Sequence, residues 1–385
     1  MGSDAYSPHK IVRHLDVIQN IRAGVPARPV HVQLIISDTC NQACRFCAYR
    51  NPDYSSSKLF YEVRPGKGGL RRSEAHPERD YNPRRMIDWE KIREILLDCK
   101  EMGVSGLQLT GGGEPTVHPQ FLYTVELAQK LDLAVAVVSN GVQIGKKLAQ
   151  DERFLGLFGR VSWSRISIDA GDHESYSRVR HVPPDHFDSA WQAVTRLREA
   201  SDASRLAHKP VVGVGYVVTP DNWQGVLAGT QRARDAGAHN IRISAEFTVD
   251  GTRHFDGFRA QAAALAREAE LVAGPDFQVY NRFSEKLEDL RQGQPDYQRC
   301  HYQEVTTYIG GDLNVYRCCV QSYNPTGLVG SLKEMRFRDL WMAEDRAREM
   351  EQFDARGCER CQFNTINRNL AYALGAEGKQ HEEFP

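Results

Sequence analysis

Between residues 88 and 272 the chain alternates amphipathic stretches with short β-branched runs, and this alternation limits the folds open to it. Asp88–Met102 sets Ile92, Ile95, Leu96 and Cys99 on one helical face and stops at Gly103. The helices expected after it are Pro119–Leu131, Lys146–Phe158, Phe187–Ala200, Trp223–Ala236 and Gln261–Val272. Strand-like runs separate them at Val104–Thr110, Leu133–Ser139, Arg165–Asp169, Val211–Val218 and Ile241–Ser244. With Pro29–Ile36 ahead of them, six strands are expected, near residues 32, 107, 136, 167, 215 and 242. Strand and helix in alternation make βα units and a parallel sheet. Six units are too few for the eight-fold barrel, so the spacing predicts an α/β fold, an open partial (β/α)6 barrel.

The flanks differ from this core. Residues 10–24 read as a short amphipathic helix ending at Gly24. Residues 50–85 are rich in Ser, Pro, Gly and Arg and carry nine Lys/Arg against five Asp/Glu. They read as a long basic loop in which Arg50, Arg64, Arg71 and Arg72 are candidates to clamp an anionic group. Beyond residue 290, Thr306–Ile309 and Leu313–Arg317 read as a hairpin around Gly310-Gly311-Asp312, followed by a helix over Ser331–Met342. The expected organisation is a helical lead-in at 1–29, a barrel at 30–275 and a small C-terminal hairpin-plus-helix domain at 290–385.

Bulk charge excludes little: 49 Lys+Arg face 50 Asp+Glu, so neither nucleic acid nor an acidic membrane is called for. No apolar run approaches the ~18 residues of a membrane span. Met1–Lys10 has no apolar core, so a cytoplasmic protein is expected.

Nine cysteines are many for such a chain, and eight of them fall into two groups. In a reducing compartment clustered thiols bind metals more often than they form disulfides. Cys40, Cys44 and Cys47 form C-x3-C-x2-C on the loop leaving the first strand. Three thiolates suit an iron–sulfur cluster, and a four-iron cubane then keeps one iron open to an amine and a carboxylate. A zinc site draws on four ligands, and no fourth Cys or His lies near this loop. Cys300, Cys318, Cys319, Cys358 and Cys361 form the second group. Four thiolates there would close either a zinc site or a fully ligated [4Fe–4S] cluster. Cys99 lies on an apolar stripe and reads as core. His181 reads as a surface residue, and Tyr308 and Tyr316 as packing.

Further motifs stand at the ends of successive strands: Gly111-Gly112-Gly113-Glu114-Pro115, Ser139-Asn140-Gly141, and Ser167-Ile168-Asp169 with Arg180 beyond. Ligands bind at that edge of a parallel sheet. With the first cysteine group, these residues resemble the radical S-adenosylmethionine (SAM) superfamily over residues 30–245. The resemblance implies a [4Fe–4S] cluster on Cys40, Cys44 and Cys47 whose open iron binds SAM. It implies reductive cleavage of SAM to a 5′-deoxyadenosyl radical that abstracts hydrogen from a C–H bond. Gly112, Gly113 and Glu114 match the motif that meets the SAM amino group, and Asn140 the motif of the next strand. Ser167 and Asp169 match positions facing the ribose. Arg180 matches one that pairs with the carboxylate, with Arg178 as its neighbouring alternative.

The tail resembles the SPASM/twitch extension of such enzymes. With no cysteine after Cys361, the shorter twitch form fits, with one auxiliary [4Fe–4S] cluster on Cys300, Cys318, Cys358 and Cys361. Cys319 is the alternative to Cys318. The cofactors implied are SAM and two [4Fe–4S] clusters. The partners implied are a small-molecule substrate and an external one-electron reductant of flavodoxin or ferredoxin type. The expected reaction is hydrogen abstraction from a small polar substrate, sugar-like or nucleotide-like, for oxidation or epimerisation. The residues before Cys40 are too few for the separate peptide-recognition domain of peptide-modifying relatives, which makes a peptide maturase the runner-up. An iron–sulfur electron carrier or redox sensor is the non-enzymatic alternative, and the Gly-Gly-Glu segment argues against it.

Overall fold

The structure is a computed structural model that describes residues 6–49, 62–63, 70–71 and 85–375. Most of the basic 50–85 segment, including Arg50, Arg64 and Arg72, lies outside the described residues. What is described of it corrects the all-loop reading: β2 (Glu62–Val63) and β3 (Leu70–Arg71) pair antiparallel.

The six expected strands form as β1 (His31–Leu34), β4 (Gly106–Leu109), β5 (Ala134–Ser139), β6 (Trp163–Ser167), β7 (Val211–Val218) and β8 (Asn240–Ala245). They pair in parallel in that order. A seventh parallel strand, β9 (Gln278–Asn281), adds to β8. Gln278 is exposed and the other three residues half-buried, with no apolar run, so the sequence pattern passes over it.

At the other edge, β10 (Thr306–Ile309) pairs parallel with β1. β11 (Asn314–Tyr316) and β12 (Leu328–Ser331) follow antiparallel. The tail hairpin therefore continues the barrel sheet, giving ten strands in the order β12-β11-β10-β1-β4-β5-β6-β7-β8-β9 among the described residues.

Period two sorts the strand residues. Leu34, Leu107, Val135, Ile166, Val214 and Ile243 face outward into one apolar core beneath the helices. The alternate residues, among them Gln33, Gln108, Arg165, Ser167, Arg242 and Ser244, face the concave side and are free to be polar. The outer layer includes α2 (Trp89–Met102), α3 (Phe121–Lys130), α7 (Asp185–Asp202), α8 (Val226–Asp235) and α9 (Arg259–Glu270). α2 buries Ile92, Ile95, Leu96 and Cys99 as expected and ends on Gly103 at φ 75°, a left-handed cap that glycine adopts without strain.

Two expected helices are broken. Lys146–Phe158 resolves into α4 (Val142–Lys146), a 3-10 turn at Leu148–Gln150 and α5 (Phe154–Phe158). Asp151 turns its carboxylate onto the Arg153 amide at 2.9 Å, a cap in place of a helical turn. Ser331–Met342 starts as a strand; α12 begins only at Phe337, and α13 (Glu344–Gln352) follows an extended Ala343. The sequence reading also passes over α6 (His173–Arg180), α10 (Phe283–Gln292) and α14 (Asn364–Leu374).

Candidate functional site

The loop after β1 carries Cys40, Cys44 and Cys47 and is clamped from two sides. On one side the Gly113 amide donates to Ser37 O at 2.9 Å and the Glu114 amide to Thr39 O at 2.8 Å. A Cβ on Gly113 would stand 2.1 Å from Thr39 O and 2.5 Å from Asp38 C, and one on Gly112 2.5 Å from Asp38 Oδ1. The glycines thus make room for the chain's own cysteine loop. On the other side, Ala43 N donates to Arg180 O at 3.2 Å and Arg45 N to Val179 O at 3.1 Å.

The three cysteines are half-buried and line a cavity of about 390 Å³. Gly112, Gly113, Glu114, Asn140, Ser167, Asp169 and Arg180 line the same cavity. All ten residues singled out around the first cluster therefore meet at one place, although they span 140 positions of the chain.

Their hydrogen bonds refine the expected roles. The buried Glu114 carboxylate accepts from Ser139 Oγ and Asn140 N, both at 2.7 Å, from Thr116 N at 3.1 Å and from Thr116 Oγ1. It ties β4 to β5, and burial pushes its acidity toward the neutral form. Oε2 accepts one of these bonds and keeps lone-pair capacity for one more donor. Asn140 Nδ2 reaches Asn41 Oδ1, next to Cys40, at 2.7 Å. Arg180 is buried; Nη1 donates to Gln42 Oε1 at 3.1 Å and Cys44 Sγ at 3.3 Å, and Nη2 pairs with Asp169. Its alternative, Arg178, is exposed and pairs with Glu174, so of the two it is Arg180 that lines the cavity. Asp169 sits at φ 58°, with Oδ1 accepting from Val217 N at 2.6 Å. Arg180 Nε in this cavity, and Thr39 Oγ1 and Asn41 Nδ2 on the cysteine loop beside it, are buried without a partner. Buried polar atoms are nearly always paired, so these three mark a place built to receive a polar group.

The family model for the radical SAM superfamily matches residues 34–228. The chain belongs to the radical SAM superfamily. A curated relative from Pyrococcus furiosus, a tungsten-containing aldehyde ferredoxin oxidoreductase cofactor-modifying protein, is 26% identical over 140 residues, 36% of this chain and 37% of the relative. A GTP 3′,8-cyclase of Pasteurella multocida is 23% identical over 174 residues, 45% of this chain and 42% of the relative. The chain thus spans less than half the length of these relatives. Among solved structures, Streptococcus suis SuiB bound to SAM superposes with a TM-score of 0.59 at 12% identity, covering 92% of this chain and 75% of SuiB. Native anSMEcpe with bound SAM gives 0.55 at 13%, covering 90% of this chain and 96% of that one. At such identities the likeness is one of fold.

In this radical SAM chain the second cysteine group divides. Cys300, Cys318, Cys358 and Cys361 line a separate cavity with Tyr297 and Phe363. Cys319 lines the first cavity instead, with Gln362 Nε2 donating to its Sγ at 3.4 Å. Burial pushes the Cys300 thiol up to about 12 and that of Cys358 up to about 11, and neighbouring thiols add to both shifts. Thiols shifted upward in this way stay protonated near neutral pH unless a cation lowers them. Among the described residues no three His, Cys, Asp or Glu side chains gather as ligands of one metal ion, in either cysteine group.

Several residues of the site escaped sequence reasoning. Asp38, on the cysteine loop, accepts from Arg85 Nε at 2.9 Å and from Tyr323, which joins the loop to the tail. Burial raises Asp38 to about 6 despite Arg85. Tyr308, Tyr316 and Tyr323 pack around it with Ile35, and His181 is exposed, as expected of packing and surface residues. Arg165 and Arg242 also line the first cavity. The signal for them was period two: each stands two residues before a cavity-facing serine, Ser167 and Ser244. No helix among the described residues is long and apolar enough to cross a membrane.

Proposed function

We propose that this radical SAM enzyme abstracts a hydrogen atom from a small polar substrate, sugar-like or nucleotide-like, in order to oxidise or epimerise it. The observation that carries this reading is the composition of the first cavity. Cys40, Cys44 and Cys47 border it together with Arg165, Ser244 and Gln362, polar side chains that stand outside the set expected to meet SAM.

A [4Fe–4S] cluster and SAM, when bound, supply one-electron reduction and a 5′-deoxyadenosyl radical. The chain's own contribution is placement. Cys40, Cys44 and Cys47 hold the cluster. Arg180 fixes Cys44 and Gln42, and Glu114 and Asn140 fix the strand ends against Asn41. Gly112, Gly113, Glu114, Asn140, Ser167, Asp169 and Arg180 border the SAM site. Cys300, Cys318, Cys358 and Cys361, which border one cavity, hold an auxiliary [4Fe–4S] cluster, as the resemblance of the tail to the twitch extension implies. An external one-electron reductant of flavodoxin or ferredoxin type feeds the first cluster.

Cys319 favours epimerisation of the two outcomes. Its thiol borders the cavity and is left out of the auxiliary set. An S–H bond facing a substrate carbon radical can return a hydrogen atom; the thiyl radical is then restored by one electron from the reductant and one proton.

The test uses extract from cells grown in deuterated water, split into a small-molecule filtrate and a peptide-sized retentate. Each fraction is incubated with the reduced, iron-loaded enzyme and SAM, and the 5′-deoxyadenosine is weighed by mass spectrometry. Deuterium should enter from the filtrate. Deuterium from the retentate alone would replace the small substrate with a peptide.

A further inference from the structure

Two arginines face the concave side of the barrel and, among the described residues, have no counter-ion. Arg165 lies on β6 and Arg242 on β8, separated by β7. The registers set Arg165 opposite Gly213 and Arg242 opposite Gly215. Both residues that β7 places between them are glycines, and Arg165 uses the space: its Cδ lies 3.6 Å from where a Gly215 Cβ would stand. A side chain larger than alanine at 215 would fill the path across which Arg165 reaches.

Among the described residues, neither guanidinium has a hydrogen-bonded or ionic partner, and Arg242 Nε is buried and unpaired. Each lies near an aromatic ring, Arg165 near Trp163 at 5.8 Å and Arg242 near Tyr6 at 5.5 Å. The acid nearest in effect, Asp169, is committed to Arg180 and to the Val217 amide. Arg282, which adds to the positive field at Arg242, pairs with Glu285. The repulsion of Arg165 is the largest influence on Arg242, lowering its proton affinity to about 10. Two like charges brought together on the concave side of a barrel cost stability unless something negative joins them.

We propose that Arg165 and Arg242 form an oxyanion subsite that receives a phosphate or carboxylate group of the substrate. The proposal rests on the reading that this cavity takes the substrate. Guanidinium groups bind such oxyanions through paired, charge-assisted N–H donors, and two of them balance the nearly two charges of a phosphate monoester. Arg165 stands one inward-facing position deeper on β6 than Ser167, and Arg242 one deeper on β8 than Ser244, so the pair lies below the strand-end residues of the same cavity. An anchored anion there would hold the rest of the substrate up toward the strand ends, where the SAM-site residues lie.

The test needs no turnover. Purified full-length protein is titrated calorimetrically with inorganic phosphate and with succinate, at ionic strength held constant with chloride. Arg165→Gln, Arg242→Gln and the surface control Arg232→Gln are compared with wild type. Saturable binding of at least one anion is expected, weakened at least tenfold in each cavity variant and unchanged in R232Q. Whichever anion binds more tightly assigns the group as phosphate or carboxylate. SAM should not displace it; displacement would make the arginines part of the SAM site and overturn the proposal. Thermal melts in anion-free buffer give a second readout. The glutamine variants should melt no lower than wild type, because a repulsion has been removed, and should gain nothing from the anion. Binding of neither anion, binding indifferent to both substitutions, or a marked loss of melting temperature in both variants would overturn the subsite. None of these results depends on SAM cleavage, so the hydrogen-abstraction reading stands or falls separately.

Discussion

Removing Arg180 should damage the protein before any cofactor is bound. The guanidinium and the Asp169 carboxylate are buried with side-chain exposures of only 6% and 2%. In Arg180→Met the thioether fills part of the volume, but Asp169 keeps only the Val217 amide at Oδ1. Breaking a buried pair by deleting one partner costs about 3–5 kcal/mol. For a chain of 385 residues, an unfolding entropy of about 2 cal/mol/K per residue converts this to a fall of roughly 4–6 °C in a cooperative melt. Asp169→Asn added to R180M removes the stranded charge and keeps an acceptor for Val217, so the double variant should regain most of the loss. The assay is differential scanning calorimetry of metal-free wild type, R180M, D169N and R180M/D169N as a double-mutant cycle. A change under about 1 °C in R180M, or a double variant no better than R180M, would refute the pairing as the reason for Arg180.

Three other outcomes follow from particular contacts. Gly113→Ala drives a Cβ into the backbone of Thr39, so it should lose about 1–3 kcal/mol and take up less iron on reconstitution, while Gly156→Ala, in open space, should not. Cys319→Ser should keep its full iron content and still form 5′-deoxyadenosine, yet fail to release epimerised product; loss of about four irons would instead make Cys319 an auxiliary ligand. His254 is held above the ordinary histidine range by the Glu246 carboxylate 2.8 Å away. A raised folded-state value adds stability below about pH 6.5 that is lost as the pH rises through that value. Melts at pH 6 and pH 8 should therefore differ more in wild type than in Glu246→Gln, and an equal difference would contradict the assignment.

Much of the barrel was legible because its signals are local. Period-two runs such as Val211–Val218 and stripes such as Ile92, Ile95, Leu96 and Cys99 are set by which face each residue buries. The cysteine spacings and strand-end motifs were legible because metal and ligand chemistry restricts residue types. The rest depends on tertiary partners. Thr306–Ile309 is buried at all four positions, the mark of an internal strand, but nothing local says that it pairs with β1 275 residues earlier. The split between Cys318 and Cys319 depends on which way two adjacent side chains point, a matter of the local backbone and not of spacing. That Gly112 and Gly113 also lie against the cysteine loop was not legible, because a glycine announces a close approach without saying what approaches. Arg165 and Arg242 were passed over as ordinary strand residues, since their isolation becomes visible only once the sheet sets them across one glycine-floored strand.

The account rests most heavily on the first cysteine group as the seat of SAM cleavage. Its most direct test is the yield of 5′-deoxyadenosine from reduced, iron-reconstituted protein given SAM, in wild type and in Cys40→Ala/Cys44→Ala/Cys47→Ala. Wild type should form it, and the triple variant should form none while keeping the iron of the tail. Formation of 5′-deoxyadenosine by the triple variant, or none by fully loaded wild type, would contradict the account.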